Sequence, residues 1–156
     1  MAELEPGVRV DVLGGFLGLR LFYNPGAAFS LGTGITPALT GFACVAVVAL
    51  VVGLTRTDSR RWALALAALL GGATGNLLDR LTRSPGPFRG EVVDFLELPS
   101  WPIFNIADMA VVTGALSIVL LSLLNTEFAG ASAGADPVVP PEPDGDLPPD
   151  RSPRDS

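Results

Sequence analysis

The chain has 156 residues, the length of one domain, and is 49% hydrophobic with a mean hydropathy of +0.47. All ten basic residues are arginine, there is no histidine, and Cys44 is the one cysteine. That composition excludes serine–histidine, cysteine–histidine and serine–lysine nucleophilic systems, an intrachain disulfide and most zinc sites, and leaves hydrolytic chemistry to carboxylates, arginines, hydroxyls or the backbone.

In chain order, residues 8–23 (VRVDVLGGFLGLRLFY) alternate apolar side chains on both sides of Gly14-Gly15, the pattern of a short β-hairpin. NPGAAFSLGTG, 24–34, follows as a turn led by Pro25-Gly26, with a short helical turn expected over Ala27–Leu31. Residues 37–54 hold no charge and are long enough to span a membrane. The basic loop 55–61 leads to a second apolar span at 62–78, where Trp62 suits an interface and Gly71 and Gly75 offer a close-packing face. A polar connection at 79–102 carries an apolar patch, VVDFLEL. The third span is 102–124, with Pro102 in its first turn and Ser100 as the expected cap. Residues 130–156 hold six of the sixteen acids and seven of the fourteen prolines, so this tail carries −4 of the net −6 and reads as disordered. The expected organisation is a membrane unit at 1–129, with ribbon and turn at 8–36, followed by the tail.

The polar residues collect at one end of this bundle. Asn76 and Asp79 share a helix face at the end of the second span, and Asn105 and Asp108 share one at the start of the third. Consecutive spans are antiparallel, so both pairs lie on one membrane side, together with Asp94 in the 79–102 connection and Asn24 ahead of the first span. Polar groups placed in lipid are costly and mark function. Two carboxylates in a poorly solvated site do not both ionise easily, which leaves one acid and one base for an activated water. Asp108, near a helix N-terminus, suits the ionised member. By spacing alone Asp79, which sits on a span, is the better candidate than Asp94 for the other position. Asp79 also stands at a helix C-terminus, where it needs Arg80 or another donor to hold it.

The motifs NPGAAFS (24–30), GNLLDR (75–80), VVDF (92–95) and FNIAD (104–108), in this order, resemble lipoprotein signal peptidase, also called signal peptidase II, over residues 8 to about 124. The resemblance implies an aspartyl endopeptidase of bacterial cell membranes that removes signal peptides from prolipoproteins just before the lipid-modified cysteine. It implies a catalytic pair at Asp94 and Asp108, and Asn24, Gly26, Asn76, Arg80 and Asn105 around the substrate or its hydrogen-bond network. Asp79 then becomes structural. The implied fold is an all-α membrane bundle with a small β-cradle, multi-pass, its active site toward the extracytoplasmic face.

No metal, organic cofactor or nucleic-acid partner is implied. The expected partners are a lipidated prolipoprotein and the bilayer, and the expected state is a monomer. The family has four transmembrane helices and this chain is expected to have three, the first being absent. The alternative reading is therefore a truncated, non-catalytic relative that inserts without cleaving, and a third is a small ion pathway using the same carboxylates. Charge does not decide orientation, since five arginines fall on each side.

Overall fold

A computed structural model describes residues 5–26 and 34–129; the helical turn expected at Ala27–Leu31 and the acidic tail lie outside the described residues. The ribbon forms as its alternation predicts. Strands β1 (Arg9–Leu13) and β2 (Leu17–Asn24) pair antiparallel. Between them Gly14 and Gly15 both adopt positive φ, and the Phe16 N–H closes the turn on the Leu13 carbonyl at 2.8 Å. Two consecutive positive φ values match the right-handed twist of a hairpin, and glycine adopts them without a Cβ clash.

VVDFLEL proves to be a third strand. Strand β3 (Val92–Glu97) pairs antiparallel with β2, giving the order β1-β2-β3 and setting Phe22 opposite Asp94 and Asn24 opposite Val92. At the other end of β3, Glu97 accepts from Arg20 at 3.3 Å and lies 4.0 Å from Arg9, so it ties the three strands together.

Three helices complete the fold: α1 (Thr36–Arg56), α2 (Arg60–Thr82) and α3 (Ile106–Leu123), each long and apolar enough to cross a membrane. Helix α2 is central and packs against both α1 and α3. Few side chains are buried; Phe42, Val45, Leu116 and Leu123 are among many apolar groups facing outward, as a small bundle solvated by lipid requires. The close approach of α2 to α3 depends on glycine. A Cβ at Gly72 would run into the Ala107 carbonyl, and one at Gly114 would lie 2.6 Å from the Leu69 nitrogen. Gly75 is less tight, 3.3 Å from the Ala107 Cβ, and Gly71 faces open space. The packing face is thus Gly72 and Gly75, not the Gly71–Gly75 pair that a four-residue repeat predicts.

Two further expectations are corrected. Pro102 precedes α3, whose cap is Asn105; Ser100 sits in a turn with φ 58°. Trp62 is buried and not an interface anchor. Its Nε1 donates to the Thr126 carbonyl at 2.9 Å and its ring meets Phe128 edge-on, which clips the segment after α3 onto the start of α2.

Gly72→Leu forces the helices apart and is expected to cost about 1–3 kcal/mol by overpacking, whereas Gly71→Leu is neutral or stabilising. Thermal unfolding of both variants in detergent micelles checks the difference; equal melting temperatures would contradict the assignment of Gly72 to the contact.

Candidate active site

The site is built where the chain returns from β3 to α3. Ser100 and the Trp101-to-Leu98 backbone bond turn the chain back, and Phe104 pairs with Leu96: the Phe104 N–H donates to the Leu96 carbonyl at 3.0 Å and the Leu96 N–H returns the bond at 2.8 Å. That short bridge places Asn105, next in the chain, beside Asp94 of β3. The Asn105 Nδ2 donates to Asp94 Oδ1 at 2.7 Å.

Asn105 is also the N-cap of α3. Its Oδ1 accepts from the Asp108 N–H at 2.9 Å, and its own N–H donates to Asp108 Oδ2 at 3.1 Å, a reciprocal capping box. The second Nδ2 proton reaches Asn76 Oδ1 at 3.1 Å, and Asn76 Nδ2 donates onward to Asp108 Oδ1 at 2.8 Å. Both amide protons and the carbonyl of Asn105 are therefore used, which leaves it one orientation. Each carboxylate accepts on both oxygens: Asp108 from Asn76 and the Asn105 backbone, Asp94 from Asn105 and, at 3.0 Å, from Asn24 Nδ2.

Asn24 is at once a turn residue and a member of this network, since its Oδ1 accepts from the Gly26 N–H at 3.0 Å. Arg80 is buried at the end of α2 and donates through Nη2 to the Gly26 carbonyl, while its Nη1 has no hydrogen-bond partner among the described residues. Asp94 is 1% exposed. Burial pushes its carboxyl above the ordinary carboxylate range; the Asn24 and Asn105 donors and the Arg80 charge oppose that shift, and Asp108 adds to it.

A family model described as signal peptidase (SPase) II matches residues 1–124. The chain belongs to the signal peptidase II family. It is 47% identical over 137 residues to a lipoprotein signal peptidase of Rhodococcus jostii, covering 87% of this chain and 69% of that one. Identity to the lipoprotein signal peptidase of Mycolicibacterium smegmatis is 49% over 125 residues (80% and 53%), and to that of Mycobacterium tuberculosis 48% over 125 residues (80% and 62%). The chain thus spans between about half and about two thirds of the length of these curated relatives.

Two solved structures described as bacterial membrane enzymes share the fold. One has a TM-score of 0.69 at 30% identity, covering 79% of this chain and 75% of that one. The other has 0.66 at 28% identity, with 81% of each covered. A signal peptidase II chain with three apolar helices and these structural neighbours is a multi-pass membrane protein.

The candidate site residues Asn24, Gly26, Asn76, Asp79, Arg80, Asp94, Asn105 and Asp108 meet at one end of the signal peptidase II bundle, and the donor that holds Asp79 is one other than Arg80. Asp79 does not pair with Arg80. Its Oδ1 accepts from Arg83 at 2.6 Å and its Oδ2 from the Val93 N–H at 3.1 Å, so it anchors β3 to α2 beside Asp94. Arg83 is four residues from Asp79, a spacing that is the sequence signal for the pair. Thr40 lies inside the uncharged run 37–54, with no signal of its own in the sequence. It is fully buried, and its hydroxyl lies 3.0 Å from the Phe88 carbonyl and 2.9 Å from that of Thr36, whose own hydroxyl donates to Pro25 at 2.6 Å. These two threonines tie α1 to the turn carrying Gly26 and to the loop before β3.

A cleft of about 240 Å³ opens beside the network, lined by Asn76, Asn105, Val93 and Phe95 among others. Among the described residues no group of three or more His, Cys, Asp or Glu side chains is placed to hold a metal ion.

Asp79→Ala leaves the Val93 N–H without its partner and is expected to cost about 1–3 kcal/mol, whereas Arg83→Gln removes only an exposed partner and costs about 0–1 kcal/mol. Paired thermal melts measure the difference, and hydrogen exchange at Val93 should accelerate in the alanine variant alone.

Proposed function

We propose that this chain is an aspartyl endopeptidase that cleaves the signal peptide from a lipid-modified prolipoprotein, with Asp94 and Asp108 as its catalytic pair. The observation that carries this reading is Asn105, one side chain that bonds Asp94 and caps Asp108 together. A residue so placed holds two carboxylates in a single poorly solvated site, the arrangement in which one is protonated and the other is not.

Asp94, the more buried member with its carboxyl pushed upward, is the proton-bearing partner. Asp108, at a helix N-terminus with two N–H donors on its oxygens, is the carboxylate. In the reaction Asp108 removes a proton from a water held between the two groups. The hydroxyl oxygen bonds to the scissile carbonyl carbon while the Asp94 proton stabilises the developing oxyanion. Collapse breaks the C–N bond, and the proton taken up by Asp108 passes to the departing amine of the lipid-bearing cysteine. The products are a signal peptide with a new carboxylate and a lipoprotein with a new N-terminal amine.

The cleft between β3 and the two helices suits an extended backbone. Asn76 spends one amide proton on Asp108 and retains a second for the substrate. Gly26, with its N–H and carbonyl both held, and Arg80 with a spare Nη1 shape the side of the site nearest the turn. The protein acts as a monomer in a bacterial cytoplasmic membrane, with this end of the bundle at the extracytoplasmic face, and its substrate enters laterally from lipid. The names of the relatives and the filled donor set around both carboxylates favour this reading over a non-catalytic relative.

In lipid, the full chain is expected to cleave a diacylglyceryl-modified prolipoprotein, and Asp94→Asn and Asp108→Asn are each expected to lose about 10²–10⁴-fold in rate while keeping native helicity. A parent chain that does not cleave, or variants that cleave at the parental rate, overturns the proposal. The pH profile supplies a second test. Activity falls as pH rises through the Asp94 titration, because the proton-bearing partner is lost. Asn24→Ala removes a donor that favours ionised Asp94, so the basic limb should move to higher pH; an unmoved or lowered limb would argue against Asp94 as the acid.

A further inference from the structure

The end of the bundle away from the carboxylates carries a second concave feature. A groove of about 380 Å³ runs between α2 and α3, walled by Leu64, Ala65, Ala68, Leu120 and Leu121, with Arg61 at its mouth. Arg61 is fifteen residues before Asn76 on the same helix, roughly 22 Å away along the axis, so the groove belongs to the opposite leaflet.

Its chemistry is that of a slot for a hydrocarbon chain. Ala65 and Ala68 are short, which creates the depression, and Gly114 brings the backbones together beneath them. Two hydroxyl residues, Thr113 and Ser117, also line it, but the Ser117 hydroxyl is already spent on the Thr113 carbonyl at 2.8 Å. The Trp62, Ala65 and Leu121 cluster closes the end next to Arg61. From Arg61 to Ala68 the slot extends roughly 10 Å along α2.

Charge at the mouth distinguishes one occupant from a generic apolar filler. Arg61 is exposed and makes no ion pair among the described residues, and Arg56 and Arg60, also exposed, flank it at the ends of α1 and α2. A guanidinium at head-group depth above an apolar slot complements a phosphate joined to an acyl chain; basic pockets between membrane helices take anionic lipids in this way. We infer that the α2–α3 groove binds one anionic phospholipid, its acyl chain on Ala65 and Ala68 and its phosphate on Arg61, in the leaflet opposite the Asp94–Asp108 pair. This site does not depend on the catalytic assignment.

Native mass spectrometry of the full chain, released from detergent with chain-matched phosphatidylglycerol or phosphatidylcholine, tests it. The parent should retain one phosphatidylglycerol with roughly fivefold preference, the gain expected from one arginine near an anionic head group. Arg61→Gln should abolish the preference, Ala68→Leu should lower retention of both lipids by filling the slot, and Arg89→Gln, a charge-matched change at the far end of the molecule, should do neither. Equal retention of the two lipids by the parent, or an equal loss in Arg89→Gln, overturns the inference. So does a dimer mass that disappears in Ala68→Leu, because a second copy would then occupy the groove. Arg61→Gln, an exposed change, carries the test should Ala68→Leu fail to fold.

Discussion

The bond from Asn105 to Asp94 is the constraint on which the rest of the site depends. At 2.7 Å, between two buried side chains, it joins the sheet to the third helix. Breaking it would leave a buried carboxylate and a buried amide each short of a partner, which is costly wherever water cannot substitute. The same amide caps α3, so the position of the helix and the position of the Asp94 carboxylate are set by one group. The Leu96–Phe104 bridge then has a clear role: it delivers Asn105 to that place from an otherwise irregular return loop.

Around this bond the molecule separates two kinds of stabilisation. The helices are held together by close backbone approach at Gly72 and Gly114, because apolar side chains gain little from leaving lipid for one another. The polar end is held by directional bonds: Asp79 to β3, Thr40 and Thr36 to the neighbouring loops, and Arg80 to Gly26. Rigid donors surround each carboxylate, while the cleft beside them stays open. Preorganised polar groups of this kind serve a reaction in which charge develops at a fixed place.

Much of this was legible in the sequence. Three uncharged or nearly uncharged runs read as spans, and Gly14-Gly15 between alternating segments read as a hairpin. The antiparallel course of the spans by itself places Asn76 and Asp108 at the same end of the bundle. The β3 strand was less legible, since VVDFLEL is too short to distinguish from other apolar runs without a partner strand. Ser100 reads as the cap of α3 because Pro102 suits a first turn, whereas the cap is Asn105. Only the Phe104 pairing shows that the chain is still extended there. Trp62 reads as an interface residue by type, and its burial follows from the segment after α3 folding back over it.

The sequence by itself determined which residue types were present to do chemistry and at which end of the bundle they lay: no histidine, no lysine, and carboxylates and amides gathered at the span ends. Spacing along a helix fixes faces, and antiparallel spans fix ends, so this much needs no tertiary information. The tertiary structure decided the pairings. By position along the chain Asp79, which sits on a span, reads as the better partner for Asp108 than Asp94. The fold gives Asp79 to Arg83 and the Val93 N–H, and turns Asp94 toward Asn105 and Asn24. The reason is that strand pairing fixes a side chain's direction only once the partner strand and its register are present. Here the register of β3 on β2 is a long-range contact that no local pattern encodes.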